Sequence, residues 1–205
     1  MEVKKDNEEL NSLISSIQFD RWIFGFPTRF TLVSHKDRDH DPLQSSLSFP
    51  EPLIYSDNYT PTGSARRIYR NTYVGDGTPL RVKKTNVTPI GPKTLSRLTG
   101  TQVWSLHAFW WFIATKEHLV LFVGDLYVSE IPLLATLLEK VPNLDALVLV
   151  SYGGMNPPTH GVKYRDQLKN EIAAIAKREK MKGRIIYGLP HPLIPDWADR
   201  SAHHM

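Results

Sequence analysis

The pattern of apolar and polar positions predicts a β-rich middle of the chain and a second half in which strands and helices alternate. Residues 8–17 place Leu10, Leu13 and Ile14 at helical spacing, which predicts a short amphipathic helix. Apolar and β-branched runs bounded by Gly, Pro and Asn then predict strands. These strands are expected at 17–24, 31–34, 51–56, 67–74, 80–90, 102–107, 109–115 and 119–123.

Turn residues and a change from strand to helical periodicity define the remaining predicted elements. Gly75-Asp76-Gly77 is typical of a hairpin turn and is expected to join the strands at 67–74 and 80–90. From residue 128 the apolar period becomes helical, and Pro142 ends that helix. The later elements are expected to be a strand buried on both faces at 145–150, a helix at 162–180 and a strand at 184–188. This alternation predicts an α/β fold, with residues 1–205 forming a single domain.

The strand at 31–34 runs directly into a cluster of potential metal ligands. Seven residues contain five of them: His35, Asp37, Asp39, His40 and Asp41. A charged, solvated turn is the alternative interpretation. A cluster of His and Asp immediately after a buried strand instead favours a binding site for a divalent metal ion, because functional residues often lie on loops that a rigid scaffold positions.

The segment His35-x-Asp37-x-Asp39-His40 resembles the HxHxDH signature of the metallo-β-lactamase-fold hydrolases, with Asp37 in place of the second histidine. The later elements of that family's pattern follow in order. His107 ends a predicted strand, and Gly124-Asp125 follows an apolar strand, with Gly124 expected to allow a tight turn. His191 lies between two prolines after the last strand. This order is most similar to the ascorbate-lactonase-like branch. The remaining histidines do not fit it and are expected on the surface; they are His118, His160, His203 and His204.

The resemblance implies an αββα four-layer sandwich, here with a shortened N-terminus because only 34 residues precede the motif. It also implies two divalent metal ions, zinc or manganese, held by seven residues. The first ion would be bound by His35, Asp37 and His107. The second would be bound by Asp39, His40 and His191, with Asp125 bridging the two and Asp39 as the candidate catalytic residue.

The amino-acid composition excludes several kinds of site and of protein. The chain has no cysteine, which excludes disulfides, thiolate zinc sites and cysteine nucleophiles. No apolar run approaches the roughly 20 residues of a membrane span, and residues 1–9 contain no secretory apolar core. A cytoplasmic protein without a membrane partner is therefore expected. Residues 66–97 hold eight basic residues and one acidic residue, which fits either a nucleic-acid surface or strands whose lysines protect a sheet edge.

These features together predict a metal-dependent hydrolase that cuts an ester, lactone or phosphodiester with a hydroxide bound to a dinuclear metal site. One alternative is a metal-dependent nuclease acting on DNA or RNA, favoured by Asp37 and the basic segment 66–97. Another is a non-catalytic relative that binds nucleic acid or a protein partner, favoured by the shortened N-terminus. That shortening would leave an edge or apolar face uncovered, so a two-fold homodimer burying Trp22, Phe24 and Phe26 is also expected.

Overall fold

Two β-sheets and the helices beside them form the described part of the molecule. The computed structural model describes residues 2–19, 30–34, 53–56, 71–152, 170–175, 177 and 184–187. Within these residues, no helix is long and apolar enough to cross a membrane. All predictions that concern other residues stay predictions.

The first sheet consists of four short parallel strands in chain order. The helix α1 (Glu2–Ser15) leads into it and confirms the predicted N-terminal helix. The four strands are β1 (Ile17–Phe19), β2 (Phe30–Val33), β3 (Leu53–Ser56) and β4 (Asn71–Val74). The predicted strands at 31–34 and 51–56 correspond to β2 and β3 and are confirmed.

The second sheet has six strands in the order β10-β9-β8-β7-β6-β5. They are β5 (Leu80–Val82), β6 (Thr85–Ile90), β7 (Trp110–Ala114), β8 (Leu119–Leu126), β9 (Ala146–Tyr152) and β10 (Arg184–Tyr187). Strands β5 to β8 are antiparallel neighbours, whereas β8, β9 and β10 are parallel. The helix α2 (Pro92–Thr99) follows β6, and a 3₁₀ turn (Val128–Glu130) followed by α3 (Ile131–Lys140) follows β8.

A continuous apolar cluster lies between the two sheets. It joins Leu32 and Ile54 of the first sheet to Trp111 and Val148 of the second, and the rings of Phe19 and Phe122 stack across the interface at 5.6 Å. These side chains are buried because alternate residues of each strand face the partner sheet.

A second apolar cluster lies on the other face of the six-stranded sheet. There Trp110 and Leu149 pack with Leu95 of α2 and Leu134 of α3, and with Ile172 in the helical residues 170–175. On the outer face of the first sheet, a third buried group is formed by Val33, Leu53 and Tyr55. The predicted α/β class, with two facing sheets and helices covering a sheet core, is confirmed.

Two local predictions in the middle of the chain are wrong. The segment 67–74 does not form a hairpin with 80–90, because β4 pairs with β3 in the first sheet while 80–90 folds on itself as the β5–β6 hairpin. The turn of that hairpin contains Lys83 in the left-handed region, with φ of 57°. Residues 102–107, predicted as a strand, form no regular element.

The sequence interpretation also missed α2 and misplaced His118. Pro92 at the first turn and Gly100 at the C-cap, with φ of 73°, are the signals that bound α2. His118 is not a surface residue, since its side chain is only 11% exposed and Nδ1 lies 3.8 Å from Asp145 Oδ2. The same Asp145 Oδ2 accepts the Leu119 N–H at 2.7 Å, at the start of β8.

Candidate metal site

The parallel strands β8, β9 and β10 end at the same edge of the six-stranded sheet. Asp125 lies near this end of β8, in register with Ser151 of β9. β10 ends at Tyr187, four residues before the predicted ligand His191 in the sequence. The carboxyl ends of parallel strands are the usual place for ligand sites in open α/β sheets. Asp125 and the end of β10 therefore lie at one edge of the sheet.

The first sheet meets the second at this same edge through Ser34, the residue that precedes His35. A β-carbon added at Gly124 would lie 3.0 Å from Ser34 Oγ, 3.2 Å from Ser34 Cβ and 3.1 Å from Ala108 Cβ. The Phe109 N–H also donates a hydrogen bond to the Ser34 carbonyl oxygen at 3.2 Å. The sequence neighbours of His35, His107 and Asp125 are thus in direct contact.

This contact corrects the interpretation of Gly124 as a tight turn. β8 continues as regular strand through Gly124 and Asp125 to Leu126. Glycine is needed here because Ser34 and Ala108 approach its Cα so closely that a side chain would overlap them. Gly124 therefore allows the two sheets to approach at the candidate site.

His107 lies in the segment before β7, beside the end of β8. The register pairs Trp111 with Phe122, so residues just before β7 run alongside residues 124–127. His107 is exposed, and its Nε2 lies 3.3 Å from Tyr127 Oη. The two rings meet edge to face, with centroids 4.3 Å apart and planes at 67°. An accessible imidazole at the shared edge is suited to binding a divalent ion.

Glu130 is a residue that the sequence interpretation missed. Its side chain is buried, with 7% exposure, and its two carboxylate oxygens accept hydrogen bonds from two different segments. Oε1 accepts the His107 N–H at 2.8 Å, and Oε2 accepts the Tyr127 N–H at 3.1 Å. The sequence pattern carries no signal for this contact, because an acid at a helix start is ordinarily explained by the helix dipole.

Of the seven predicted ligands, His107 is the one whose side chain the structure describes, and Asp125 is described by its backbone. The other predicted ligands lie outside the described residues: His35, Asp37, Asp39, His40 and His191. Within the described part of the chain, no three His, Asp or Glu side chains are grouped closely enough to hold a metal ion. The full ligand set therefore stays a prediction. The described part shows that the close approach at Gly124 brings together three segments, each of which borders a predicted ligand in the sequence.

Comparisons with known proteins come from solved structures. No protein-family model and no curated protein sequence matches this chain. Its structure is similar to the metallo-β-lactamase fold protein YhfI from Bacillus subtilis, with 12% identity, a TM-score of 0.41 and coverage of 80% of this chain and 76% of YhfI. It is also similar to unliganded yeast PDE1, with 13% identity, a TM-score of 0.46 and coverage of 79% and 57%.

A third similar structure is Zn²⁺-bound PqqB from Methylobacterium extorquens, with 12% identity, a TM-score of 0.40 and coverage of 63% of this chain. The match spans 48% of PqqB, about half of its length. These solved structures are metallo-β-lactamase-fold proteins. At such identities the likeness concerns the fold alone and does not show the activity or the ligands of this chain.

Proposed function

We propose that this protein is a metal-dependent hydrolase with a dinuclear site at the shared edge of its two sheets. The observation that carries the proposal is the contact of Ser34, Ala108 and Gly124. Each of these residues is the direct sequence neighbour of a predicted ligand, namely His35, His107 and Asp125. Residues that are far apart in sequence meet at one point, as a shared metal centre requires.

The residues proposed to hold the metal ions have suitable donor atoms. Imidazole and carboxylate together suit zinc and manganese, and the carboxylate of Asp37 is a harder ligand than the usual histidine. Divalent ions bound at this edge would lower the pKa of a water molecule and polarise the carbonyl or phosphoryl oxygen under attack. The chain itself contributes the fixed placement of His107 beside the end of β8.

The described edge is open to a small substrate. His107 is exposed, Tyr127 is 39% exposed and Trp104 in the same loop is 83% exposed. Aromatic side chains beside polar groups are common in small-molecule sites. This accessibility is consistent with a small-molecule substrate, and the class that we propose is an ester, lactone or phosphodiester.

A nuclease is the second candidate, and the basic residues of the β5–β6 hairpin are the observation that favours it. Arg81, Lys83 and Lys84 are exposed there, and Arg81 Nε donates to the Lys83 carbonyl oxygen at 3.1 Å. Among the described strands, β5 is also the last of its sheet, and at a sheet edge lysines commonly prevent pairing with another chain. Activity towards oligonucleotides distinguishes the two roles.

A substrate panel with metal removal tests the proposal. Protein purified without chelator is assayed against esters, lactones, phosphodiesters and oligonucleotides, then again after chelator treatment and after restoring Zn²⁺ or Mn²⁺. We expect the activity to disappear with the metal and to return with it. Asp125→Ala should abolish the activity, whereas Glu139→Ala, on the exposed side of α3, should keep it. Activity that survives complete metal removal would reject the proposal.

A further inference from the structure

The carboxylate of Glu130 connects the two described segments that carry predicted ligands. Glu130 is buried, and its Oε1 accepts the N–H of His107, a residue 23 positions earlier. Its Oε2 accepts the N–H of Tyr127, two residues after Asp125. One side chain therefore holds the segment before β7 against the end of β8.

Helix capping explains only one of the two hydrogen bonds. Tyr127 precedes the 3₁₀ turn, so the bond from its N–H to Glu130 Oε2, three residues on, matches a capping box. The bond from the His107 N–H to Oε1 crosses 23 positions and belongs to no helix start. Glu130 is the N-cap residue of α3, yet its carboxylate makes no capping hydrogen bond to that helix. Both oxygens are directed instead towards backbone N–H groups outside α3. One buried side chain thus ties two segments together through two hydrogen bonds, of 2.8 and 3.1 Å.

The geometry points to Glu130 as a positioning residue for the candidate metal site, an inference that rests on the proposed function. It fixes the backbone of His107 relative to the end of β8, and so it sets the separation of the predicted ligands His107 and Asp125. The ring contact between His107 and Tyr127 is made by residues of the same two segments. Groups that orient metal ligands through hydrogen bonds commonly change metal affinity by about 10–100-fold when they are replaced.

Two substitutions and a matched control separate positioning from general stability. Glu130→Ala removes both acceptors. Glu130→Gln keeps one carbonyl oxygen and places an NH₂ group opposite the other backbone N–H, so it should have an intermediate effect. Glu139→Gln is the control, because Glu139 is an exposed acid on the same helix. Circular dichroism confirms that each variant is folded.

Three measurements are made on the full chain: hydrogen exchange of the His107 and Tyr127 amides, titration with Zn²⁺, and the visible absorption spectrum with Co²⁺. In Glu130→Ala we expect both amides to exchange at least about tenfold faster and Zn²⁺ to bind about 10–100-fold more weakly. The Co²⁺ spectrum should change, with Glu130→Gln between wild type and Glu130→Ala. A purely structural role would lower Tm without changing the Co²⁺ spectrum.

The outcomes distinguish the two claims. Unchanged exchange at His107 in a folded Glu130→Ala variant would overturn the positioning role, and so would unchanged Zn²⁺ affinity with an unchanged Co²⁺ spectrum. If wild-type protein binds neither ion, the proposed function fails, and amide exchange still decides whether Glu130 holds His107 in place.

Discussion

Replacement of Gly124 by alanine should separate the two sheets at the candidate site. The added β-carbon would meet Ser34 Oγ at 3.0 Å, Ala108 Cβ at 3.1 Å and Ser34 Cβ at 3.2 Å. Carbon atoms in proteins pack best at about 3.5–4.0 Å, so the sheets would have to move apart by several tenths of an ångström. Ser34 and Ala108 are each only 1% exposed, so neither residue can swing into solvent.

The magnitude follows from two opposing effects. Overpacking a well-packed contact typically costs about 1–3 kcal/mol. The backbone of Gly124 lies outside the left-handed region, so alanine can adopt its conformation and lowers the entropy of the unfolded chain, which stabilises by about 0.4–1 kcal/mol. We therefore expect Gly124→Ala to lower the free energy of unfolding by about 1–2 kcal/mol.

Urea unfolding of Gly124→Ala, Ala108→Gly and the double variant tests this reasoning. Ala108→Gly removes one of the overlapping atoms, so the double variant should be more stable than the two separate effects predict. Gly100→Ala is the control, because a β-carbon there meets nothing within 4 Å while φ is 73°. Its cost comes from backbone strain alone and should add to that of Ala108→Gly. Effects of Gly124→Ala and Ala108→Gly that simply add in the double variant would refute the close approach of these two residues.

Three further predictions concern other parts of the chain. Thr85 Oγ1 is buried and makes no hydrogen bond within the described part of the chain. Thr85→Val should therefore raise the free energy of unfolding by about 1 kcal/mol. Thr78→Val is the control, because Thr78 is exposed, and a loss of stability of Thr85→Val in urea would contradict the prediction. Asp37→His should move the metal preference from manganese towards zinc in competitive titrations, and an unchanged preference would show that Asp37 is not a ligand. If the basic segment binds nucleic acid, binding should weaken steeply with salt and be lost when three arginines are changed to Glu; an absence of salt-sensitive binding would remove that role. These arginines are Arg66, Arg67 and Arg70.

The sequence predicted correctly the strands whose apolar residues indicate burial within a sheet. The continuous apolar run at 145–150 indicated a parallel strand buried on both faces, and β9 is parallel to both β8 and β10. Ser34, Ala108 and Gly124, the sequence neighbours of three predicted ligands, meet at one edge, and the ligand set itself stays a prediction.

The errors involve polar side chains with distant partners. The predicted turn at Gly75-Asp76-Gly77 is present, with the Thr78 N–H bonded to the Gly75 carbonyl oxygen at 2.8 Å, but β4 and β5 on either side lie in different sheets. The Asp76 carboxylate accepts the N–H groups of Gly91 and Lys93 at 2.8 and 2.9 Å and so caps α2. Glu130 was overlooked because its partner His107 lies 23 positions away. The local sequence pattern cannot predict such contacts, because they depend on which distant elements the fold brings together.

Metal content is the most direct test of the central claim. Elemental analysis of wild-type protein purified without chelator, repeated after loading with Zn²⁺ or Mn²⁺, measures the number of bound ions per chain. The proposed dinuclear site predicts two divalent ions per chain, with at least one lost in Asp125→Ala. Wild-type protein that binds no divalent ion under any loading condition would contradict the assignment of this protein as a metal-dependent hydrolase.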